Sequence, residues 1–573
     1  MLVYRDGSES VDPRVLLSDI GRRLSRALDH DAAVDCVIAF GEVEAALADA
    51  LFPTADGLAP EAQRWRAVSV SLGCLLRATW RGAQEDVRAA AAREAAGGLD
   101  AILRSHLPSR VERRVAEGYA WYALYPETYL EAAEALAASS AGPVLCVGIR
   151  SIGAGLSGVA AAPFAAAGRT VDAITLRPRG HPFERRPALA PALEAFLVER
   201  RDRMVLVVDE GPGLSGSSFC GTAACLAALG FPEQRIVLVP SALPDPAGFV
   251  SAEARERWPR HPKAHAGFED AWLPRGRLGA GLKDLGGGLW RNHVPIDGPP
   301  PAVQFQHERR KYLARRDGRT VLLRFAGLGR YGTPRLARAG RLAAAGLGPA
   351  PRGLSDGFLA LDWIDGTPCP RGALNDGLAR AALDHVAHLG CHERTGAPVR
   401  AAELRALLET NVGEGLGAAW LDPLRAALDR HLARLDGIEA VAVDGRMLPH
   451  EWLRTEGGFS GGFVKADALD HHDDHFYPGT QDIGWDLAGL GVEFGLKPVA
   501  IREMAEALAA RLRDPALPAR LPVQEAAYAA FRLGYAQLAA ASLAGSEDGQ
   551  RFGRLAARYR RLLRRAVLRL AAG

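Results

Sequence analysis

Residues 204–221 constrain this chain of 573 residues more than any other stretch. Met204 to Val208 is an unbroken apolar run, as suits a strand buried on both faces of a parallel sheet. Asp209 and Glu210 follow at the strand's carboxyl end, where open α/β sheets bind their ligands. Residues 211–218 are a turn of small residues leading into a helix predicted over 219–229. Such a turn can aim several backbone N–H groups at one anion, and the helix start adds favourable potential. Ser215, Ser217 and Ser218 can donate hydroxyl hydrogens to the same anion. Two carboxylates would repel phosphate, but they suit a sugar diol or a bound Mg2+. Phosphate and diol side by side describe a ribose 5-phosphate. An ordinary strand-turn-helix with a Gly-rich turn is the plainer alternative.

The stretch resembles the phosphoribosyl-diphosphate loop of the type I phosphoribosyltransferases, where an apolar strand ends in two acids and a Ser/Thr-Gly phosphate loop follows. The resemblance implies that Asp209 and Glu210 are the catalytic pair, holding the ribose diol directly or through Mg2+. Gly213, Leu214, Ser215, Gly216, Ser217 and Ser218 would hold the 5-phosphate. The segment between acids and loop, residues 211–214, is slightly longer than the family's pattern.

Residues 144–158 repeat the strand, Gly-rich turn and helix. In the same family a loop at this point holds the diphosphate leaving group, so Gly148, Arg150, Ser151 and Gly153 are its candidates here. Glycine for close helix–strand packing is the alternative. Residues 170–186 begin as a strand and end in a basic run. Arg177, Arg179 and His181 are candidates for neutralising diphosphate, as a closing loop does in the family; a solvated basic loop is the plain reading. With a fourth strand near Arg235, the four strands imply a doubly wound parallel α/β sheet.

At this length the chain should hold two or three domains. The expected division is a helical N-terminal cap (1–104), the phosphoribosyltransferase-like domain (105–250), a connector (251–302) and a second domain (303–573). In the cap, Leu16, Ile20, Leu24 and Leu28 recur at helical spacing, as do Val43, Leu47 and Leu51, and no convergent polar cluster stands out. The aromatic run at 118–129 reads either as a stacking surface or as a core seam. The formal charge of +3 gives no global argument for nucleic acid or membrane surfaces. Seven scattered cysteines without a Cys-x-x-Cys pair fit a reduced, cytoplasmic setting. The first residues lack the blocks of a signal peptide, and no apolar run is long enough to span a bilayer.

From Phe305 the pattern changes. Residues 311–325 read as a hairpin around Asp317-Gly318. Residues 357–368 (GFLALDWIDGTP), 448–455 (LPHEWLRT), 462–467 (GFVKAD) and 480–489 (TQDIGWDLAG) follow in order. This half resembles the aminoglycoside-phosphotransferase-like kinases, which implies an α+β kinase-like fold with ATP as candidate nucleotide and Mg2+ as metal. Asp467 matches the metal-binding Asp and Asp486 the structural Asp of the last segment. His450 matches the His of the catalytic loop, with Trp452 where the catalytic Asp belongs and Glu451 beside it. Arg324 takes the place of the strand Lys that meets nucleotide phosphates, though its planar fork is not equivalent. Residues 470–475 (DHHDDH) read as an exposed polar loop, or as metal ligands. The basic amphipathic stretch at 551–570 reads as a packed terminal helix; nothing else supports nucleic acid.

The leading expectation is therefore transfer of ribose 5-phosphate from phosphoribosyl diphosphate to a small-molecule acceptor. The alternatives are a non-catalytic sensor of nucleotide or phosphoribosyl compounds, and an ATP-dependent small-molecule kinase whose first domain binds substrate.

Overall fold

A computed structural model describes residues 1–5, 7–25, 29–296, 298–372 and 374–572. Leu28 lies outside the described residues. The expected cap is four helices, Pro13–Leu24, His30–Leu51, Pro60–Trp80 and Glu85–Leu103. Ile20, Leu24, Val43 and Leu47 are buried as their spacing requires, whereas Leu16 is half-buried, its neighbour Leu17 taking the core position, and Leu51 ends its helix exposed.

The parallel sheet has four strands in the order Val171–Leu176, Val144–Ile149, Met204–Val208, Ile236–Val239. Alternation along its apolar strands feeds two cores. Val144, Cys146, Leu206 and Val208 face the cap, and Leu145, Val147, Val205 and Val207 face the helices Pro191–Val198 and Ser217–Ala228. The helix Gly153–Ala166 is buried along nearly its whole length, between sheet and cap. Its neighbours approach at glycine: a Cβ on Gly73 would lie 2.4 Å from the Gly158 carbonyl oxygen, and one on Gly41 would lie 2.9 Å from Gly155 Cα.

The second half opens with an antiparallel five-stranded sheet. The predicted hairpin is present as Lys311–Arg316 and Arg319–Phe325, with Asp317 and Gly318 both at positive φ, the geometry of a tight two-residue turn. Lys283–Asp284, within the expected connector, joins this sheet as an edge strand. Residues 363–366 lead from the sheet to a largely helical part whose core includes the helices Gly484–Phe494, Leu517–Ser542 and Glu547–Ala572. An antiparallel sheet followed by a largely helical part gives this half the α+β order expected. The basic terminal helix packs, burying Tyr559, Leu563 and Leu570.

One core runs through both halves. Tyr312, Leu323, Phe325 and Phe358 of the antiparallel sheet pack in the same cluster as the cap and the aromatic run. Tyr119, Trp121, Tyr125 and Tyr129 are all buried, so that run is a core seam.

Candidate functional sites

Asp209 and Glu210 stand at the carboxyl edge of the parallel sheet, next to its central strand. Tyr129 fixes their backbone, its hydroxyl donating to both carbonyls at 2.8 Å. The Ser241 N–H donates to the Glu210 carbonyl at 2.7 Å. Neither carboxylate forms an ion pair among the described residues. Both remain half-exposed by area, yet the surrounding protein pushes Asp209 up to about 7. Burial, with Glu117 and Asp209 adding to it, pushes Glu210 up to about 8. These are acids short of a positive partner.

The loop that follows turns through Gly213 and Gly216, both in the left-handed region that glycine adopts freely. Leu214 is exposed and Ser218 half-buried. The Ser217 N–H donates to Ser215 Oγ at 3.2 Å, and Ser217 Oγ donates to the Pro182 carbonyl at 2.7 Å. Part of the expected phosphate cradle thus bonds to itself and to the basic loop.

The basic candidates are placed differently from the free anion-binding groups expected. Arg150 is buried, pairing with Asp56 and, at 3.0 Å, with Asp49. Arg177 Nε donates to Asp49 at 3.0 Å, and Arg179 lies 3.3 Å from Asp56. Asp49 and Asp56 come from the cap, which corrects its reading as free of polar clusters. Sequence spacing could not reveal acids that arrive from about 100 residues away in the chain. His181 is exposed, its Nδ1 accepting from the Phe183 N–H at 3.3 Å. Ser151 and Arg177 border a narrow cleft against the helix His30–Leu51. Gly148 and Gly153 serve close packing, since a Cβ on either would lie 2.3 Å from a carbonyl oxygen, that of Gly153 or Val208 respectively.

In the second half a cavity of about 660 Å³ opens between the antiparallel sheet and the helices, lined in part by Arg324, His450, Glu451 and Asp467. Asp486 braces one wall, accepting the N–H groups of Asp444 and Gly445 at 2.8 Å each. The turn held this way is Asp444-Gly445-Arg446, ahead of His450 and Trp452. Arg446, in this turn, also lines the cavity. Trp452 is buried in a strand, edge-on to His385 at 5.7 Å. His450 lies parallel to Trp290 at 5.9 Å, and burial followed by the Lys465 charge pushes it down to about 3.

Glu451, Asp467 and His471 each bring a ligand atom to within 4.8 Å of the others. Glu451 thus joins Asp467, although adjacency to His450 alone could not show it. The strand Phe463–Lys465 supplies a signal that could have: a lysine in an otherwise apolar strand needs an acid partner. Lys465 Nζ lies 2.8 Å from Glu451, 3.3 Å from Asp444 and 2.5 Å from the Asp467 carbonyl. Arg324 pairs with Asp470 at 2.6 Å and Asp467 at 3.3 Å. Burial alone would raise Asp467, but Arg324 and His471 hold it well below the carboxylate range. His471 rises to about 9 because Asp467 and Asp444 outweigh burial and Arg446.

The donor set fits Mg2+ through its carboxylates, since hard cations take oxygen ligands and Asp467 Oδ1 is buried without a hydrogen bond. The protonated His471 is the poorer ligand of the three.

Residues 470–475 do not form the exposed loop expected. Asp470, His471, Asp474 and His475 are buried. Arg309 meets Asp470 at 3.3 Å and Asp474 at 2.9 Å, so opposite charge from far off in the chain makes burial tolerable. His475 Nε2 lies 3.2 Å from the Tyr122 hydroxyl and its ring 4.8 Å from Trp121. The loop after Asp467 therefore abuts the aromatic seam of the first half.

No family model matches this chain, and no curated protein matches it. Among solved structures it is similar to a choline/ethanolamine kinase family protein from Mesorhizobium loti, at 19% identity over 53% of this chain and 96% of that one, with a TM-score of 0.34. Choline kinase LicA from Streptococcus pneumoniae is similar at 15% identity over 46% and 90%, with a TM-score of 0.32. Macrolide 2'-phosphotransferase MphH from Brachybacterium faecium is similar at 21% identity over 47% and 96%, with a TM-score of 0.28. At TM-scores this low the likeness carries no further weight, and the geometry of the sites stands alone. Among the described residues, no helix is long and apolar enough to cross a membrane.

Proposed function

We propose that this protein is a small-molecule kinase-like protein whose second half binds a nucleoside triphosphate with Mg2+ in the cavity beneath the antiparallel sheet. The observation that carries this reading is the meeting of Glu451 and Asp467 in the cavity wall, beneath Arg324 and beside the turn that Asp486 braces. Glu451 and Asp467 would hold the metal, which would supply charge neutralisation for the phosphates. Arg324 sits where it can meet a phosphate oxygen. Trp452, where the resemblance puts a catalytic Asp, cannot accept an acceptor's proton, so charge stabilisation and positioning carry whatever transfer occurs. A loose phosphoryl-transfer transition state asks mainly for those two things.

Calorimetry on the full chain with ATP and Mg2+ tests the reading. Micromolar binding is expected, weakened roughly tenfold or more in Asp467→Ala. Equal binding by wild type and variant would sink it.

The unpaired acids favour a second reading for the first half, as a module that binds a phosphoribosyl compound. Asp209 and Glu210, with no ion pair among the described residues and raised to about 7 and about 8, suit a metal-bound diol at the sheet edge. Phosphoribosyl diphosphate with Mg2+ should bind the wild type and fail to bind Asp209→Asn/Glu210→Gln. Unchanged binding in that double variant removes the assignment.

A further inference from the structure

Among the described residues, the cavity of the second half is lined by eight Lys and Arg against four Asp and Glu. Those four acids are already matched. Glu308 pairs with Lys311 at 3.1 Å, and Glu451 with Lys465 at 2.8 Å. Asp467 and Asp470 share Arg324, and Asp470 also meets Arg309.

Four more arginines line the cavity: Arg532 is well held by Glu493 and the Tyr559 hydroxyl, and Arg371, Arg446 and Arg554 are poorly compensated. Arg371 and Arg532 share Glu493, at 3.7 and 3.3 Å, and Glu493 also serves Arg558 at 3.3 Å. Arg446 has only Asp474, 3.6 Å away, and Arg309 already holds Asp474 at 2.9 Å. Arg554 is exposed and has no ion pair among the described residues. Arg446 and Arg532 both act on Tyr535, their charges opposing the upward push of burial on its phenol, and the Arg532 guanidinium lies 5.5 Å from its ring. Because Arg446 belongs to the turn that Asp486 braces, its backbone is fixed relative to Asp467. A guanidinium there binds an anion in bidentate fashion and repels an amine.

We propose that this wall is an anion subsite, with Arg446 as its anchor and Arg371 and Arg532 beside it, so that the small molecule taken by the second half carries a phosphate group. The subsite rests on the reading of that cavity as a nucleotide-binding, kinase-like site, and names the class of its second ligand. A compact phosphorylated polyol carries such a group. A quaternary amine would meet uncompensated positive charge.

Calorimetric titration of the full chain, with ADP and Mg2+ saturating, tests the subsite with two probes, glycerol 3-phosphate and choline. Glycerol 3-phosphate should bind, and choline should not. Affinity for glycerol 3-phosphate should fall roughly tenfold or more in Arg446→Ala and in Arg371→Ala. Arg371 is 44% exposed, so its variant should fold even if the Arg446 variant does not. Binding of choline, competition between glycerol 3-phosphate and ADP, or full affinity in Arg371→Ala would each overturn the proposal. Loss of glycerol 3-phosphate binding only in Asp209→Asn/Glu210→Gln would place the anion in the first half and overturn it too. Failure of ADP to bind while both arginine variants lose glycerol 3-phosphate would keep the subsite and remove the nucleotide reading.

Discussion

Asp209 and Glu210 sit at the edge of the parallel sheet with no ion pair among the described residues, whereas Glu451 and Asp467 sit beneath the antiparallel sheet among Lys465, Arg324 and His471. Asp209 and Asp467 are pushed in opposite directions. Burial raises the first pair to about 7 and about 8, while Arg324 and His471 hold Asp467 far below its usual range. The first site is short of positive charge and must draw it from a ligand. The second carries its own, so a ligand there is sorted by the surplus that remains. Two acids near one ligand do not make one kind of site; their counter-charges do.

The largest test of this contrast is Lys465→Ala. It leaves the buried Asp444 and the half-buried Glu451 without their shared cation, which costs about 3–5 kcal/mol. The urea midpoint of the second half should fall accordingly, and an unchanged midpoint would mean that the acids do not depend on Lys465. Next is Asp486→Asn, which keeps one acceptor for the N–H groups of Asp444 and Gly445 but weakens the brace. About 1–3 kcal/mol is expected, with faster amide exchange at those two residues and little elsewhere.

The smallest effect has the opposite sign. The folded Asp209 and Glu210 titrate near 7 and 8, against roughly 4 when unfolded. The native state holds more protons between those values, so this contribution to stability is full below the unfolded value and is lost as pH rises through the folded one. Asp209→Asn/Glu210→Gln should therefore raise the thermal midpoint by a few degrees at pH 8 relative to wild type, and do little at pH 4. A variant less stable at pH 8 would show that an unseen cation already serves these acids.

Much of the scaffold was legible. The apolar run Met204–Val208 could only be a buried strand, the Asp317-Gly318 pair could only turn tightly, and the cap's spacing required helices. Asp467 and Arg324, named separately from the sequence, lie 3.3 Å apart. Residues 470–475 misled, because six polar residues in a row read as solvated until Arg309 and Arg324 are seen to arrive from far off in the chain. Arg150 and Arg177 misled for the same reason, with Asp49 and Asp56 as the hidden partners.

Read alone, the order of residues settles periodicity, turns and which strand ends in acids, since these depend on neighbours within a few positions. It does not settle which of those acids go unpaired. A carboxylate's charge state is set by whatever lies within about 4–6 Å of it. In this chain those groups come from the cap, the antiparallel sheet and the long helices, brought together only by burial of the shared core.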